Sequence, residues 1–326
     1  MRPQELKESI KHLARIRRPG FIWGPPGGGK SAIMAQAARE IDYQLIDLRA
    51  VLMDPVDFLG IPTIKDGRTH WNPPDIFPTD PESKGILFLD EFNAAPPQTQ
   101  AVGYQLIFDN KIGTLELPPG WVCMAAGNRD TDRAITHRMS SALSSRFVHI
   151  ELESNLDDWV LWSLQAGIQT EIISFLRFRP DLLHNFDPAF KSFPCPRTWE
   201  FMSRMLGAGI SPGVEYELFK GTIGEAAAAE FLGYLKIFRS LPSMDQILLN
   251  PAAAPVPKDP AALYAVSTAL ATKASAANIE RITAYSYRLP PEFSVLLIRD
   301  SAKRAPDVMQ TRAFIEWATK NKDVLI

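Results

Sequence analysis

An eight-residue stretch, GPPGGGKS at 24–31, contains the residue types that bind phosphate. It fits the pattern Gly-x-x-x-x-Gly-Lys-Ser/Thr, in which backbone N–H groups cradle phosphates, the lysine reaches the β and γ phosphates, and the hydroxyl binds Mg²⁺. An apolar run, FIW, precedes it and a helical pattern, AIMAQAARE, follows it, so the loop would deliver phosphates to a positive helix N-terminus. The alternative is an ordinary flexible glycine turn. The predicted binding residues are Gly24, Pro25, Pro26, Gly27, Gly28, Gly29, Lys30, Ser31 and Ala32, with Lys30 on the phosphates and Ser31 on Mg²⁺.

Two polar segments follow apolar runs that are typical of buried strands. The segment ILFLDE ends in Asp90 and Glu91, and AAGN ends in Asn128. Because an open α/β sheet places ligand groups at the carboxyl ends of its strands, we expect Asp90 to hold Mg²⁺ and Glu91 to polarise the attacking water. Asn128 would lie beside Asp90 if the two strands are neighbours, where its amide could orient a nucleophile. The alternatives are two solvated acids that cap a strand and a simple Gly-Asn turn.

The elements that would position these residues form an α/β pattern. Short apolar runs alternate with longer helical segments between residue 21 and about residue 150, which predicts a mainly parallel sheet. An Asp66-Gly67 turn predicts an inserted β-hairpin, and KIGTLELPPG at 111–120 predicts a second small hairpin or a loop. The five predicted strands are FIW (21–23), YQLIDL (43–48), GILFLD (85–90), WVCMAAG (121–127) and FVHIEL (147–152).

The rest of the chain is helical in character. Apolar residues recur at helical spacing after Leu152, and a segment with five prolines at 241–260 marks a boundary or a wrapping loop. Aromatic residues within this helical pattern are expected to be core residues; they are Trp159, Trp162 and Phe175. The predicted domains are an α/β nucleotide-binding core at 1–153, a smaller helical lid at 154–248 and a helical C-terminal extension at 249–326.

Composition and charge limit the classes of function. The chain has 326 residues, of which 46% are hydrophobic and 22% charged, and its net charge is −2, so charge indicates no polyanion partner. The cysteines Cys123 and Cys195 are far apart, and the five histidines lack the spacing of metal ligands. No segment has the pattern of a signal peptide or a membrane span, and we expect a cytoplasmic protein.

Several motifs together resemble the AAA+ ATPases and, within them, the MoxR-like branch. The resemblance covers about the first 240 residues; it includes the segments already described, ITHRMSSALSSRF at 135–147 and FPCPRTWEF at 193–201. It implies a P-loop AAA+ core with a five-stranded parallel sheet, a sensor role for Asn128, and an arginine finger at Arg146 that reaches the site of a neighbouring subunit. Arg138 is a second candidate for the finger. Arg197 would be the second sensor on the lid, close to a helix that the sequence predicts to begin at Thr198.

This resemblance also implies an activity. We expect Mg²⁺-dependent ATP hydrolysis by a homo-oligomeric ring, mainly a hexamer, which remodels or activates a partner protein complex. Such proteins commonly act with a partner that carries a von Willebrand factor A domain, and their substrate is a protein. Candidate contact residues in the inserted hairpin region are Phe58, Ile61, Ile64, Trp71 and Ile76, and the alternative is that these residues pack within the insertion.

Two other functions remain open at this point. A DNA-directed motor or loader would need a basic stripe, yet no run of lysine and arginine is longer than a doublet. A nucleotide-binding switch with little turnover would not need the water-polarising Glu91. ATP is implied by the resemblance, since the phosphate-binding loop does not recognise the base.

Overall fold

The computed structural model describes residues 1–113, 115–132, 137 and 139–322, and it divides the chain into two units. The first unit is Met1–Asp158, and the second begins at Trp159. This boundary lies in the first turn of a helix, Leu156–Ala166. Residues on both sides of position 249, where a C-terminal extension is predicted to begin, belong to the second unit.

The first unit contains a five-stranded parallel sheet with the strand order β2-β5-β8-β1-β9. Two antiparallel hairpins, β3–β4 and β6–β7, accompany it. The strands are β1 (Gly20–Trp23), β2 (Gln44–Arg49), β3 (Ile61–Lys65), β4 (Arg68–Asn72), β5 (Lys84–Asp90), β6 (Lys111–Ile112), β7 (Leu115–Glu116), β8 (Gly120–Gly127) and β9 (Val148–Glu151). The predicted α/β fold class is therefore confirmed, and all five predicted strands form the sheet.

Fifteen α-helices occur in the residues that the structure describes. The first unit has α1 (Pro3–Arg15), α2 (Lys30–Glu40), α3 (Pro55–Leu59), α4 (Pro97–Asp109) and α5 (Ser141–Ser144), and α6 (Leu156–Ala166) begins in it. The second unit has α7 (Thr170–Phe178), α8 (Pro196–Gly207), α9 (Glu215–Ile223), α10 (Glu225–Arg239), α11 (Met244–Leu249), α12 (Pro260–Ala271), α13 (Ile279–Ser286), α14 (Pro291–Arg304) and α15 (Arg312–Lys320). Within this described part, none of the helices has the length and apolar character needed to cross a membrane.

Both faces of the sheet are covered by apolar side chains. Along β5, Leu87 and Leu89 belong to one hydrophobic cluster, while Ile86 and Phe88 belong to another, and residues 121–126 of β8 alternate in the same way. Helix α4 contributes to the first cluster, and α1 and α2 contribute to the second. Because a parallel sheet is stable when both of its faces are buried, this packing fixes the strand ends that carry the polar residues.

The β3–β4 hairpin has the predicted turn. Asp66 and Gly67 have φ angles of 52° and 71°, as a two-residue type I′ turn requires. Every residue of both strands is exposed, including Ile61, Ile64 and Trp71. The hairpin therefore presents apolar side chains to solvent instead of packing them within the insertion.

Phe58 differs from the other candidate contact residues. Its side chain is completely buried in α3 and packs against Phe77, with ring centroids 6.2 Å apart. Both rings belong to the hydrophobic cluster that covers one face of the sheet. The prediction of Phe58 as a contact residue is wrong, because the short helix α3 turns this ring towards the core.

The second unit is held together by apolar packing and by a buried ion pair. Arg177 on α7 forms a bidentate pair with Asp300 on α14 and donates to Thr268 Oγ1 on α12. Trp159 and Phe175 are buried, as expected, and Trp162 is half-buried. Helices on both sides of position 249 therefore pack against one another.

We predict that Phe58→Ala lowers the free energy of unfolding by about 3–5 kcal/mol, because it leaves a cavity in a packed core. The control is Ile64→Thr, which keeps a β-branched residue at a position where 84% of the side chain is exposed. We expect this variant to change stability by less than about 0.5 kcal/mol. Urea unfolding of the full chain measures both values, and equal losses would contradict the assignment of Phe58 to the core.

Candidate nucleotide-binding site

The loop between β1 and α2 has the backbone conformation of a phosphate-binding loop. Gly27 and Gly29 have φ angles of 75° and 92°, in the left-handed region that favours glycine. Gly29 is the N-cap of α2, and the helix begins at Lys30, two residues before the helical pattern AIMAQAARE. The N–H of Gly24 donates to Gly127 O of β8 at 3.3 Å, which ties the start of the loop to the neighbouring strand. The loop therefore ends at a helix N-terminus whose first N–H groups can bind an anion.

Lys30 connects this loop to the end of β8. Only 8% of the residue is exposed, and its Nζ donates to Gly24 O at 2.7 Å, Pro25 O at 3.2 Å and Asn128 Oδ1 at 2.9 Å. These three acceptors are neutral oxygen atoms. The structure thus brings together Lys30 and Asn128, which are predicted separately from two motifs.

Ser31 and Asp90 form the second polar contact of the site. Ser31 Oγ donates to Asp90 Oδ2 at 2.6 Å, and the backbone N–H of Glu91 donates to Asp90 Oδ1 at 2.9 Å. Asp90 is the last residue of β5, so the carboxylate lies at the carboxyl edge of the sheet. A hydroxyl and a carboxylate at this distance are oxygen donors of the kind that Mg²⁺ prefers.

Further negative charge lies beside Asp90, on strand β2. Reduced hydration and, next, repulsion by the Asp90 carboxylate raise the pKa of Asp47, while Arg49 opposes this shift. Among the described residues, no group of three or more His, Cys, Asp or Glu side chains could hold a metal ion. This donor set fits Mg²⁺, which commonly takes only one or two protein ligands and completes its shell with phosphates and water.

Glu91 has a strained backbone. Its φ and ψ angles are 54° and 32°, a left-handed conformation that costs a residue with a Cβ about 1 kcal/mol or more. Its side chain is exposed next to the buried end of β5. The two acids therefore have different surroundings: Asp90 is hydrogen-bonded to Ser31, and the Glu91 side chain is exposed to solvent.

Asn93 belongs to the site although no motif predicts it. Its side chain is buried, and Nδ2 donates to Asn128 O at 2.8 Å. A Cβ at Gly127 would lie 2.1 Å from Asn93 Oδ1, so only glycine fits at the end of β8. Asn93 therefore fixes the segment after β5 against the segment after β8, and it supports Asn128 through the backbone.

Arg129 is a second residue that the sequence reasoning missed. Its Nη2 donates to Leu152 O at 3.0 Å and lies 3.2 Å from Glu151 Oε2. Strands β8 and β9 flank β1, so this arginine reaches across the carboxyl end of β1, where the phosphate-binding loop begins. Arg129 therefore fixes the ends of β8 and β9 on both sides of the loop.

The comparison with known families agrees with this geometry. Residues 19–147 match the family described as AAA domain (dynein-related subfamily). This part of the chain is therefore similar to an AAA domain. It contains the phosphate-binding loop, the acids after β5 and Asn128, and the α/β P-loop fold of the AAA+ proteins is the fold seen in the first unit.

Solved structures that are similar to the chain have low sequence identity. NtrX from Brucella abortus is 17% identical, with a TM-score of 0.40, over 98% of this chain and 67% of that chain. RuvB from Thermotoga maritima is 17% identical, with a TM-score of 0.39, over 82% of this chain and 80% of that chain. None of the curated proteins matches. Because both TM-scores are below 0.5, the fold assignment depends on the family match and the strand order.

Arg146 lies near the end of the region that matches the family model, between α5 and β9. In the described part of the chain its hydrogen bonds stay within its own turn, where Nη1 donates to Ala142 O and to Ser145 Oγ, both at 3.0 Å. The structure therefore does not bring Arg146 to the phosphate-binding residues of its own chain. The other candidate for the finger, Arg138, lies outside the described residues.

Arg197 lies in the second unit and is exposed. Helix α8 begins at Pro196, two residues before the predicted start at Thr198, because proline suits the first position of a helix. Arg197 therefore lies in the first turn of α8 rather than before it. Thr198 Oγ1 accepts from Cys195 N at 2.8 Å and caps this turn.

We predict that the strain at Glu91 is measurable in stability. In Glu91→Gly the left-handed conformation costs little, so the free energy of unfolding should be unchanged or higher by up to about 1 kcal/mol. In Glu91→Val a β-branched residue occupies the same conformation, and we expect a loss of about 1–2 kcal/mol. Urea unfolding compares the two variants, and equal stabilities would show that the turn relaxes without strain.

Proposed function

We propose that the chain is a Mg²⁺-dependent ATPase that acts as one subunit of a ring. The observation that supports this best is the convergence of Lys30, Asn128, Ser31 and Asp90, joined in two hydrogen-bonded pairs at the carboxyl ends of adjacent strands. A merely structural glycine turn needs neither pair. ATP is proposed as the nucleotide because the motifs resemble those of ATP-hydrolysing AAA+ proteins.

Each phosphate-binding group has a position in this proposal. The N–H groups of the loop and of the first turn of α2, from Gly24 to Ala32, cradle the phosphates, and Lys30 exchanges its oxygen acceptors for phosphate oxygens. Ser31 and Asp90 would hold Mg²⁺, which would supply positive charge to neutralise the phosphates. Asp90 keeps its orientation through the N–H of Glu91.

Two side chains then serve the chemical step, and two others support them. Glu91, exposed beside Asp90, accepts the proton of the attacking water. Asn128 orients that water through its amide, and its Oδ1 is already within hydrogen-bond distance of Lys30. Asn93 and Arg129 keep the ends of β8 and its neighbours in register, so that these groups stay at the separations that the chemistry requires.

Assembly completes the site. Because Arg146 does not contact the phosphate-binding residues of its own chain, we propose that it reaches the site of a neighbouring subunit and stabilises charge on the transferred phosphate. Arg197, exposed at the start of α8, is the proposed second sensor of the lid. The ring is a homo-oligomer and a hexamer by resemblance to the family.

The proposed biological role is the remodelling of a protein complex in the cytoplasm, as in the MoxR-like branch. Its partner would carry a von Willebrand factor A domain, and its substrate is a protein. The exposed apolar side chains around the β3–β4 hairpin favour a protein contact at this place; they are Ile61, Ile64, Trp71 and Ile76. The function of the helices from residue 249 onward is proposed to be assembly or partner binding.

The first test of the proposal is ATP hydrolysis as a function of protein concentration, with and without Mg²⁺, together with the mass from light scattering. We expect specific activity to rise as the ring forms and to require Mg²⁺. Lys30→Ala should lose tight nucleotide binding, while Glu91→Gln should bind ATP and lose turnover by a factor of 10² or more. Tight ATP binding without turnover at any concentration would favour a nucleotide switch instead.

A second prediction tests the shared site. Arg146→Ala should bind ATP normally and hydrolyse it roughly 10³-fold more slowly, because the charge on the transferred phosphate loses its partner. Mixing it with Glu91→Gln should restore part of the activity, since Glu91→Gln subunits supply an intact arginine to sites that keep Glu91. If no mixing ratio exceeds the two parents, the site is not shared between subunits.

A further inference from the structure

Arg146 lies over a stacked pair of aromatic rings on α4. Tyr104 and Phe108 are four residues apart on this helix, and their ring centroids are 5.8 Å apart with planes inclined by 12°. The Cζ atom of Arg146 lies 4.5 Å from the Phe108 centroid and 5.7 Å from the Tyr104 centroid. These distances are within the range of cation–π contacts.

In the residues that the structure describes, the Arg146 guanidinium is held by hydrogen bonds at Nη1 but not at Nη2. Its Nη1 donates to Ala142 O and Ser145 Oγ, whereas Nε is buried without a partner and Nη2 has no acceptor in the described part of the chain. An aromatic platform attracts the cation through the face of the guanidinium. The N–H groups of Nη2 therefore keep their capacity for an oxygen acceptor, whereas a carboxylate in place of the rings would occupy them and cancel the charge.

The backbone on both sides of Arg146 is fixed. Leu143 and Phe147 are buried in the same hydrophobic cluster, and the Phe147 ring packs edge-on against Phe21 with centroids 5.3 Å apart. The ring nitrogen Nε2 of His149 lies 2.8 Å from Ser144 O, within the turn before Arg146. The position of the guanidinium therefore depends mainly on its own side-chain rotamer, which the rings restrict.

Phe108 is an unusual residue for its place in the fold. Its side chain is 51% exposed, although Leu106 and Ile107 of the same helix are buried in the core. Core packing does not require an aromatic ring at this position. The contact with Arg146 does, because an aliphatic side chain of similar volume has no π face.

We propose that Tyr104 and Phe108 are positioning residues for Arg146, which hold its guanidinium ready for phosphate oxygens on a neighbouring subunit. This inference depends on the proposed role of Arg146 in a shared site. The two rings act through Arg146 alone, so they should affect turnover in the neighbouring site and leave ATP binding in their own site unchanged. Without the platform, the flexible arginine side chain would have to be ordered at each turnover.

The test compares Phe108→Leu with Phe108→Trp in the full chain. Phe108→Leu keeps an apolar side chain but loses the π face, and we expect turnover at saturating ATP to fall about threefold, with unchanged ATP affinity and oligomer mass. Phe108→Trp keeps a π face and should retain activity near that of the wild type. A fall of the same size in both variants, or in neither, would overturn the proposal.

Two further measurements exclude a merely structural role. In an Arg146→Ala background, Phe108→Leu should have no additional effect on turnover, because the group that it positions is gone. The second measurement mixes two proteins, one with Phe108→Leu and one with Glu91→Gln. Turnover per Phe108→Leu subunit should rise on mixing, since the Glu91→Gln subunits supply a correctly held Arg146. A further loss in the double variant, or no rise on mixing, would contradict the proposal.

Arg146→Ala alone distinguishes failure of the shared-site proposal from failure of the positioning role of the rings. If Arg146→Ala alone retains full turnover, the shared-site proposal fails, and the positioning role of the rings fails with it. If Arg146→Ala loses turnover while Phe108→Leu behaves as the wild type, only the role of the rings is wrong.

Discussion

Parallel pairing of β5, β8 and β1 brings the ends of three strands to one edge of the sheet, and every contact of the nucleotide site depends on it. Lys30 reaches Asn128 because β1 and β8 are neighbours, with Trp23 opposite Gly127. Asp90 lies one strand further along, within reach of Ser31. Since both faces of the sheet are buried, these strands cannot shift without the loss of two hydrophobic clusters.

The polar groups at this edge are held by short hydrogen bonds rather than by burial alone. Asp90 is fixed between the hydroxyl of Ser31 and the N–H of Glu91, and Glu91 itself adopts a left-handed conformation. The strain at Glu91 costs free energy that the packing of the core offsets, and the close approach of Asn93 to Gly127 is possible because glycine has no Cβ. Such costs are typical of sites where the positions of side chains matter more than local stability.

Arg146 has a different relation to the fold. Its contacts with Ala142, Ser145 and the α4 rings are local, and they leave part of the guanidinium without an acceptor in the described residues. The groups around Lys30, in contrast, satisfy one another within one chain. This contrast supports a division of labour in which one subunit binds the nucleotide and its neighbour supplies a cation for the chemical step.

The amino-acid sequence by itself determined the elements and the residues that are close together in the chain. The loop from Gly24 to Ser31, the acids after β5 and the Asp66-Gly67 turn could be predicted, because their chemistry and geometry depend on local spacing and on the period of apolar residues. Asp90 and Asn128 were expected to lie side by side at one edge of the sheet only if their strands are neighbours. The strand order of the structure satisfies that condition.

The tertiary structure decided the contacts between residues that are distant in the sequence. The support that Asn93 gives Asn128, the reach of Arg129 across β1, the burial of Phe58 and the stacking of Arg146 on Phe108 follow from strand order and helix packing. No spacing in one sequence encodes these pairings. They form only when hydrophobic burial has brought separate segments together, which is why Phe58 was assigned wrongly and Phe108 could not be recognised.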